Sequence, residues 1–199
     1  LTKSKTIEKM YLDPLWKIYK ENNKSVYSDN SVYLLVDIKT NALKTYKVLE
    51  NILKKYKPML THVTSDSVFE EAVTIILSGN RPPIDYFNDY EYRNVFIDGR
   101  LGDIGEGISY KIMPLISSDW EQTFTWDGAG IFPSAQYEIL SELVKSVHLE
   151  KKEIRFWASP DNQNTWRTLL LADVDLINTD NIEQFKKFIT LKNSDKDII

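Results

Sequence analysis

The chain has 199 residues, 42% hydrophobic and 27% charged, which suits one globular domain with a substantial core and excludes a disordered chain. Its net charge of −4, with no basic stripe to offset it, argues against a nucleic-acid partner. The lack of Cys excludes disulfides, zinc–thiolate sites and thiol catalysis, and no apolar run approaches the ~20 residues of a membrane span.

The amino end, Leu1-Thr-Lys-Ser-Lys-Thr-Ile7, is mildly basic without an apolar core, so no signal peptide is legible. It also lacks Met, and the expected start lies upstream. Asp13-Pro14 reads as N-cap and first helical position, with Leu15, Ile18 and Tyr19 as the apolar stripe behind it. The first strand is expected near 31–38, its apolar run Ser31 to Val36 passing into Asp37-Ile-Lys-Thr40. From Asn41 to Tyr56, Leu43, Tyr46, Leu49, Ile52, Leu53 and Tyr56 recur at helical spacing with lysines opposite, which makes an amphipathic helix.

Further strands are expected near 72–78, 94–98, 111–117, 153–158 and 174–178, each ending in a polar burst. Residues 81–93 and 101–110 hold no long helix and read as irregular connections that shape a pocket. Ser134 opens a helix with Tyr137, Leu140, Leu143, Val144 and Val147 on one side, and 164–172 is a shorter one. Asp180 with Glu183 reads as a capping box for a last helix whose buried face is Ile182, Phe185, Phe188 and Ile189. The polar tail from Lys192 to Ile199 is expected to fray.

Near-continuous apolar strands suit a parallel sheet buried on both faces. Strands alternating with crossovers suit an α/β fold, and polar groups at strand carboxyl ends are where a TIM-type (β/α)8 barrel keeps its chemistry. Six strand units fit in this chain, whereas a closed barrel needs about 250 residues. The six are therefore expected to be strands 3–8 of one barrel domain, parallel throughout, with Asp37, Asp98, Trp157 and Asp180 converging on one face. Roughly 50–100 further residues are expected upstream. An open six-stranded sheet is the alternative.

Period two along a strand pairs Asp37 with Lys39, Asp98 with Arg100, and Asn178 with Asp180 on a shared face. A carboxylate beside an ammonium at a strand end suits a hard cation next to a phosphate, or simply an ion pair. Ser117 and Ser118 are candidate hydrogen-bond donors to a phosphate oxygen. No partner base makes either a nucleophile. Trp16 and Trp166 read as core, and Trp120, Trp126 and Trp157 as candidates for an aromatic wall, with core packing for at least one. His62 falls in a connecting loop and His148 at a helix carboxyl end, where a partial cation is favoured.

Leu34-Leu-Val-Asp37-Ile-Lys39-Thr40 resembles the third-strand motif of the glycerophosphodiester phosphodiesterase and phosphatidylinositol phospholipase C superfamily. Ile154-Arg-Phe-Trp-Ala-Ser-Pro-Asp161 and Val174-Asp-Leu-Ile-Asn-Thr-Asp180 are similar to its last two strands. Their wording is nearest the altered inheritance of mitochondria protein 6 branch, as are Phe96-Ile-Asp-Gly-Arg-Leu101 and Met113-Pro-Leu-Ile-Ser117-Ser-Asp-Trp120.

The resemblance implies a barrel that hydrolyses a glycerophosphodiester or phospholipid head group with one divalent cation, Mg²⁺ or Ca²⁺. Asp37 falls on a metal-ligand position, Lys39 on the phosphate-facing catalytic lysine, and Trp157 on the pocket tryptophan. Asp180 falls on the polar position after the last strand, and Arg100 and Ser117 are taken as further substrate-binding residues. The family's His motif on strand one and Glu-x-Asp on strand two do not occur here, so metal is expected to bind weakly or not at all to this chain. The family also implies an extracytoplasmic location. The competing expectation is an inactive barrel that serves as a binding or partner module.

Overall fold

Residues 5–27, 30–65, 67–88 and 92–196 are described in a computed structural model. The chain divides into two units, residues 1–98 with 111–113, and residues 99–110 with 114–199.

In the first unit, β1 (Val32–Ile38) pairs in parallel with β4 (Val73–Gly79), and β4 with β6 (Phe96–Gly99). These are the first three expected strands, placed within two residues of the reading. Their β-branched and aromatic residues favour the pleated form, and Val73, Ile75, Ile76, Leu77 and Ile97 have no exposed surface. The crossover after β1 is α2 (Ala42–Leu53), capped by Asn41, whose Oδ1 accepts from the Lys44 N–H at 3.0 Å. Tyr46, Leu49 and Leu53 bury its apolar stripe, and a 3₁₀ turn, Lys54–Met59, adds Tyr56 and Met59 to the core.

The first helix departs from expectation. A π-helical turn, Glu8–Leu12, leads straight into α1 (Asp13–Glu21), so Asp13 is helical itself and not an N-cap. Its carboxylate instead accepts from Tyr56 Oη at 2.7 Å and Lys55 Nζ at 3.0 Å, bonds that hold its pKa below the usual carboxylate range. Ile18 is exposed, while Leu12 and Tyr19 carry the buried face.

A second correction is a small antiparallel sheet, with β2 (His62–Thr64) between β3 (Val68–Phe69) and β5 (Tyr92–Arg93). β5 lies at the end of the connection 81–93 read as irregular and β2 where His62 was placed in a loop, and two- or three-residue strands leave no period long enough to detect.

In the second unit β7 (Leu115–Asp119) pairs in parallel with β8 (Glu153–Trp157), and β8 with β9 (Leu176–Ile177). β7 starts four residues later than the reading placed it, at Leu115 just after Pro114. It ends in a single turn, α3 (Trp120–Thr123). Then α4 (Ser134–Leu149) and α5 (Gln163–Leu171) alternate with the strands, and their buried residues, Leu140, Val144, Val147, Trp166 and Leu169, keep the expected spacing.

The last helix, α6 (Ile182–Lys196), is led by Asn181 and not by an Asp180 capping box, since Asn181 Oδ1 accepts from the Gln184 N–H at 3.4 Å. Ile182 is exposed, and Phe185 and Phe188 pack on Trp166 at 5.2 and 5.7 Å. Helical structure reaches Lys196 within the expected frayed tail, and residues 197–199 lie outside the described residues.

Candidate functional site

Parallel strands carry their polar residues out at the carboxyl ends, and the two units each do so. In the first unit Asp37 is in register with Ser78, and Leu77 with Ile97, so Asp37, Ser78 and Asp98 form one row on one face of three strands. The expectation that Asp37 and Asp98 share a face holds. Asp98 has no exposed surface and its Oδ2 accepts from Ser78 Oγ at 2.5 Å. Arg81 donates to the Asp98 carbonyl at 2.6 Å, closing the turn beyond β4 against the end of β6.

Asp37 differs from Asp98 in being open to solvent. Lys39 Nζ stands 2.8 Å from Asp37 Oδ2, with the two side chains 79% and 52% exposed. This is the surface ion pair that the spacing allowed, and such pairs contribute little to stability. Gly79 is what brings Asp37 in close. It has φ +70°, and a Cβ there would lie 2.2 Å from Asp37 Oδ1 and 2.6 Å from the Ile38 carbonyl. Asn80 then clamps the end of β1, its N–H to the Ile38 carbonyl at 2.8 Å and its Nδ2 to the Thr40 carbonyl at 2.9 Å. A cavity of about 450 Å³, lined by Ile7, Met10, Tyr11, Leu34 and Val36, opens beside β1 and reaches Asp37.

Among the described residues no three His, Asp or Glu side chains stand close enough together to hold a metal ion. The donor set by itself therefore does not fit a metal centre, because one carboxylate with an ammonium on it supplies a fraction of the six to eight oxygens Ca²⁺ takes.

In the second unit, Asp119 is in register with Trp157, and Ile177 with Phe156, which puts Asn178 beside Trp157. A cavity of about 400 Å³ lies at these strand ends, lined by Arg100, Leu101, Ser118, Asp119, Gln122 and Trp157, with Gly102 and Thr123. Arg100 and Trp157, both expected to bind substrate, meet here: the guanidinium sits over the indole, 5.0 Å from the ring centroid. Asp119 caps α3, accepting from the Glu121 N–H at 3.1 Å and Gln122 Nε2 at 3.3 Å.

The serines divide by strand parity. Ser118 reaches the cavity, whereas Ser117 is fully buried with its Oγ 3.1 Å from Arg155 Nε. Of the three tryptophans proposed as a wall, Trp157 alone lines this cavity. Trp120 and Trp126 are 1% and 7% exposed, in a ring cluster with Phe124, Phe132 and Phe156.

Asp180 stands past β9, where its N–H donates to Asp161 Oδ2 at 2.9 Å. Asp161 also accepts from the Asn181 N–H, from Trp166 Nε1 at 2.9 Å and from Thr179. Burial works to raise the Asp161 pKa, but these hydrogen bonds outweigh it and hold the carboxyl low.

Neither histidine touches these groups. His62 stacks between Phe69 and Tyr92 at 5.0 and 5.1 Å. His148, at the carboxyl end of α4 as expected, bonds Asp175 Oδ2 at 2.9 Å, an oxygen that also takes the Ile154 N–H at the start of β8.

Ser78, Gly79 and Asp119 were not singled out from the sequence. Their polar bursts were visible, but the register that sets Ser78 and Gly79 against Asp37 is a long-range property.

Residues 1–98 match the AIM6-like phosphodiesterase domain, a segment that holds Asp37, Lys39, Ser78 and Asp98. A curated relative, the altered inheritance of mitochondria protein 6 homolog of Arthroderma benhamiae, is 23% identical over 215 residues, covering 94% of this chain and 67% of the relative. No solved structure matches. The two matches support the altered inheritance of mitochondria protein 6 branch of the phosphodiesterase superfamily, the family the strand-end motifs resemble.

Proposed function

We propose that this AIM6-like chain works in the hydrolysis of a phosphoric diester, with a glycerophosphodiester or phospholipid head group as substrate. The observation that carries the reading is the match of residues 1–98 to a phosphodiesterase domain, a segment that ends on the very row Asp37, Ser78 and Asp98. In this proposal the Lys39 ammonium neutralises a non-bridging phosphate oxygen. Asp37 offers one hard oxygen ligand to Mg²⁺ or Ca²⁺, ions that such ligands favour over zinc. No group of three acids or histidines among the described residues completes a shell, so the cation requirement rests on the family resemblance. The six parallel strands are proposed as strands 3–8 of a (β/α)8 barrel on the same ground.

Independently of the first unit, the cavity of the second unit is proposed as a site for a phosphorylated head group. Its lining of Arg100, Ser118, Asp119, Gln122 and Thr123 offers hydrogen-bond donors and acceptors beside the apolar surface of Leu101 and Trp157. The exposed face of Trp157 that a quaternary ammonium would need already carries the Arg100 guanidinium. A hydroxyl-bearing head group fits this chemistry better than choline does.

The competing reading, a binding module without activity, is favoured by the ion pair that occupies Asp37 and by the lack of a three-acid cluster among the described residues. Hydrolysis of bis(p-nitrophenyl) phosphate by the purified protein, with EDTA and with Mg²⁺ or Ca²⁺ added back, separates the two. The enzyme reading expects cation-dependent turnover that Asp37→Asn and Lys39→Met both abolish. Turnover absent under every condition, with phosphodiester binding retained, supports the binding module.

A further inference from the structure

Lys152 carries a charge in an unusual place. Its side chain has no exposed surface, and its Nζ donates to Glu150 Oε2 at 2.5 Å. A buried ammonium in an ion pair is a poor source of stability, because desolvation offsets the attraction; such pairs are often kept for the conformation they specify. What Glu150 specifies is visible at its other oxygen. Oε1 accepts the Gly105 N–H at 2.6 Å, 45 residues away in sequence. The Lys152 and Gly105 bonds together hold the Glu150 pKa below the ordinary glutamate range, so the acceptor stays ionised.

Gly105 belongs to the connection 99–110, which also supplies Arg100, Leu101 and Gly102 to the cavity wall. Residues 100–104 form one closed turn. The Arg100 N–H donates to Asp103 Oδ2 at 2.7 Å, the Ile104 N–H donates to the Leu101 carbonyl at 3.2 Å, and Leu101–Asp103 is a 3₁₀ turn. Arg100 Nη1 also donates to the Gly99 carbonyl at 2.7 Å, so its guanidinium moves with its own backbone. The turn is stiff within itself, and its placement depends on its flanks. On the carboxyl side the next residue is Gly105, at φ +84°, with Gly107 at φ +72° beyond it. Two glycines in a connection this short leave the chain free to swing unless something holds it.

We propose that Glu150 is a positioning residue for the cavity: fixed from below by buried Lys152, it clasps Gly105 and so sets the turn that lays Arg100 across Trp157. The consequence for substrate rests on the reading of that cavity as a head-group site; the clasp does not. Its chain of contacts runs from the start of β8 through two side chains to a backbone amide, and then through a rigid turn to the guanidinium.

The test uses the whole protein without substrate, by NMR. Amide exchange at Gly105 reports the clasp, and the Arg100 Nε–H and Trp157 Nε1–H resonances report the wall. Glu150→Ala should speed Gly105 exchange by about tenfold, the equivalent of one lost hydrogen bond, and shift both reporters. The Trp120 and Trp166 indole resonances, held elsewhere by the Trp126 carbonyl and Asp161, should stay in place. Glu150→Gln should restore both readouts only in part, because its single amide oxygen can serve Gly105 or Lys152 but not both. Lys152→Met should loosen Gly105 with the fold retained, since a methionine fills the buried channel without its charge.

An unchanged Gly105 exchange rate in Glu150→Ala overturns the clasp. A released Gly105 with Arg100 and Trp157 resonances unmoved overturns the positioning role. If the phosphodiesterase reading fails, neither result changes. If that reading stands, Glu150→Ala should also raise KM more than it lowers kcat, with Glu150→Gln falling between it and the parent.

Discussion

Gly79 lies against Asp37 at the paired ends of β4 and β1, so close that a Cβ on the glycine would stand 2.2 Å from the Asp37 carboxylate. The glycine does two things there. Its φ of +70° turns the chain at the end of β4, and its missing side chain leaves the space that the Asp37 carboxylate fills.

Gly79→Ala is therefore expected to cost more than a left-handed alanine alone, which is roughly 1–2 kcal/mol. The added methyl also meets the Ile38 carbonyl at 2.6 Å, and backbone cannot swing away as a side chain can. Urea titration should show a loss of about 2 kcal/mol or more with an unchanged m-value. A variant as stable as the parent would show that the strand end is looser than this geometry.

Asp37→Asn should leave stability nearly untouched without added metal, within about 1 kcal/mol, because the Asp37–Lys39 pair is an exposed one. A loss of about 3–5 kcal/mol belongs to broken buried pairs and would contradict this surface geometry. Added Mg²⁺ or Ca²⁺ should shift the melting temperature of this chain little, and that of Asp37→Asn no more, because the described residues hold no three-acid cluster. Thermal scans with and without EDTA measure both effects.

The tryptophans give a contrast of burial. Trp120→Ala should cost about 3–5 kcal/mol, as removal of a fully packed aromatic does, whereas Trp157→Ala, at a cavity wall, should cost much less. Calorimetric titration should also show glycerol 3-phosphate binding more tightly than phosphocholine. Arg100→Ala should narrow that preference by uncovering the indole face. Equal or tighter binding of phosphocholine to the wild type would remove the argument for a hydroxyl-bearing head group.

Asp161 predicts an acid limit. Its folded pKa is depressed, so its contribution to stability is complete above the ordinary aspartate value and is lost as the pH falls through the lower folded one. Asp161→Ala should cost about 1–3 kcal/mol near neutrality, chiefly because the buried Trp166 indole N–H loses its acceptor. The variant's stability should also fall less steeply than the parent's between pH 5 and 2. Parallel curves in that range would mean that Asp161 keeps no special acid sensitivity.

Much of this architecture was readable from local order. Val32 to Val36 and Val73 to Leu77 announce strands, because β-branched, aromatic and aliphatic residues in near-continuous runs suit a pleat buried on both sides. The spacing of Tyr46, Leu49 and Leu53, or of Leu140, Val144 and Val147, announces helices by the same local geometry. The weakest expectations fell at caps and short strands. Asp13 and Asp180 both look like N-caps in sequence, yet Tyr56 and Lys55 draw the carboxylate of Asp13 away, and Asn181 takes the place of Asp180.

What tertiary structure alone decided is which polar groups meet. Asp37 opposite Ser78 depends on the register of strands separated by an entire crossover, and a one-residue slip would turn every side chain to the other face. Ser118 rather than Ser117 at the cavity, and Trp157 rather than Trp120 or Trp126, follow from the same parity once the strand is anchored. The bond from Glu150 to Gly105 and the lie of Arg100 on Trp157 join segments about fifty residues apart. Local spacing sets which face a side chain takes on its own element, but its partner across the fold is set by packing, and no periodicity in the chain records it.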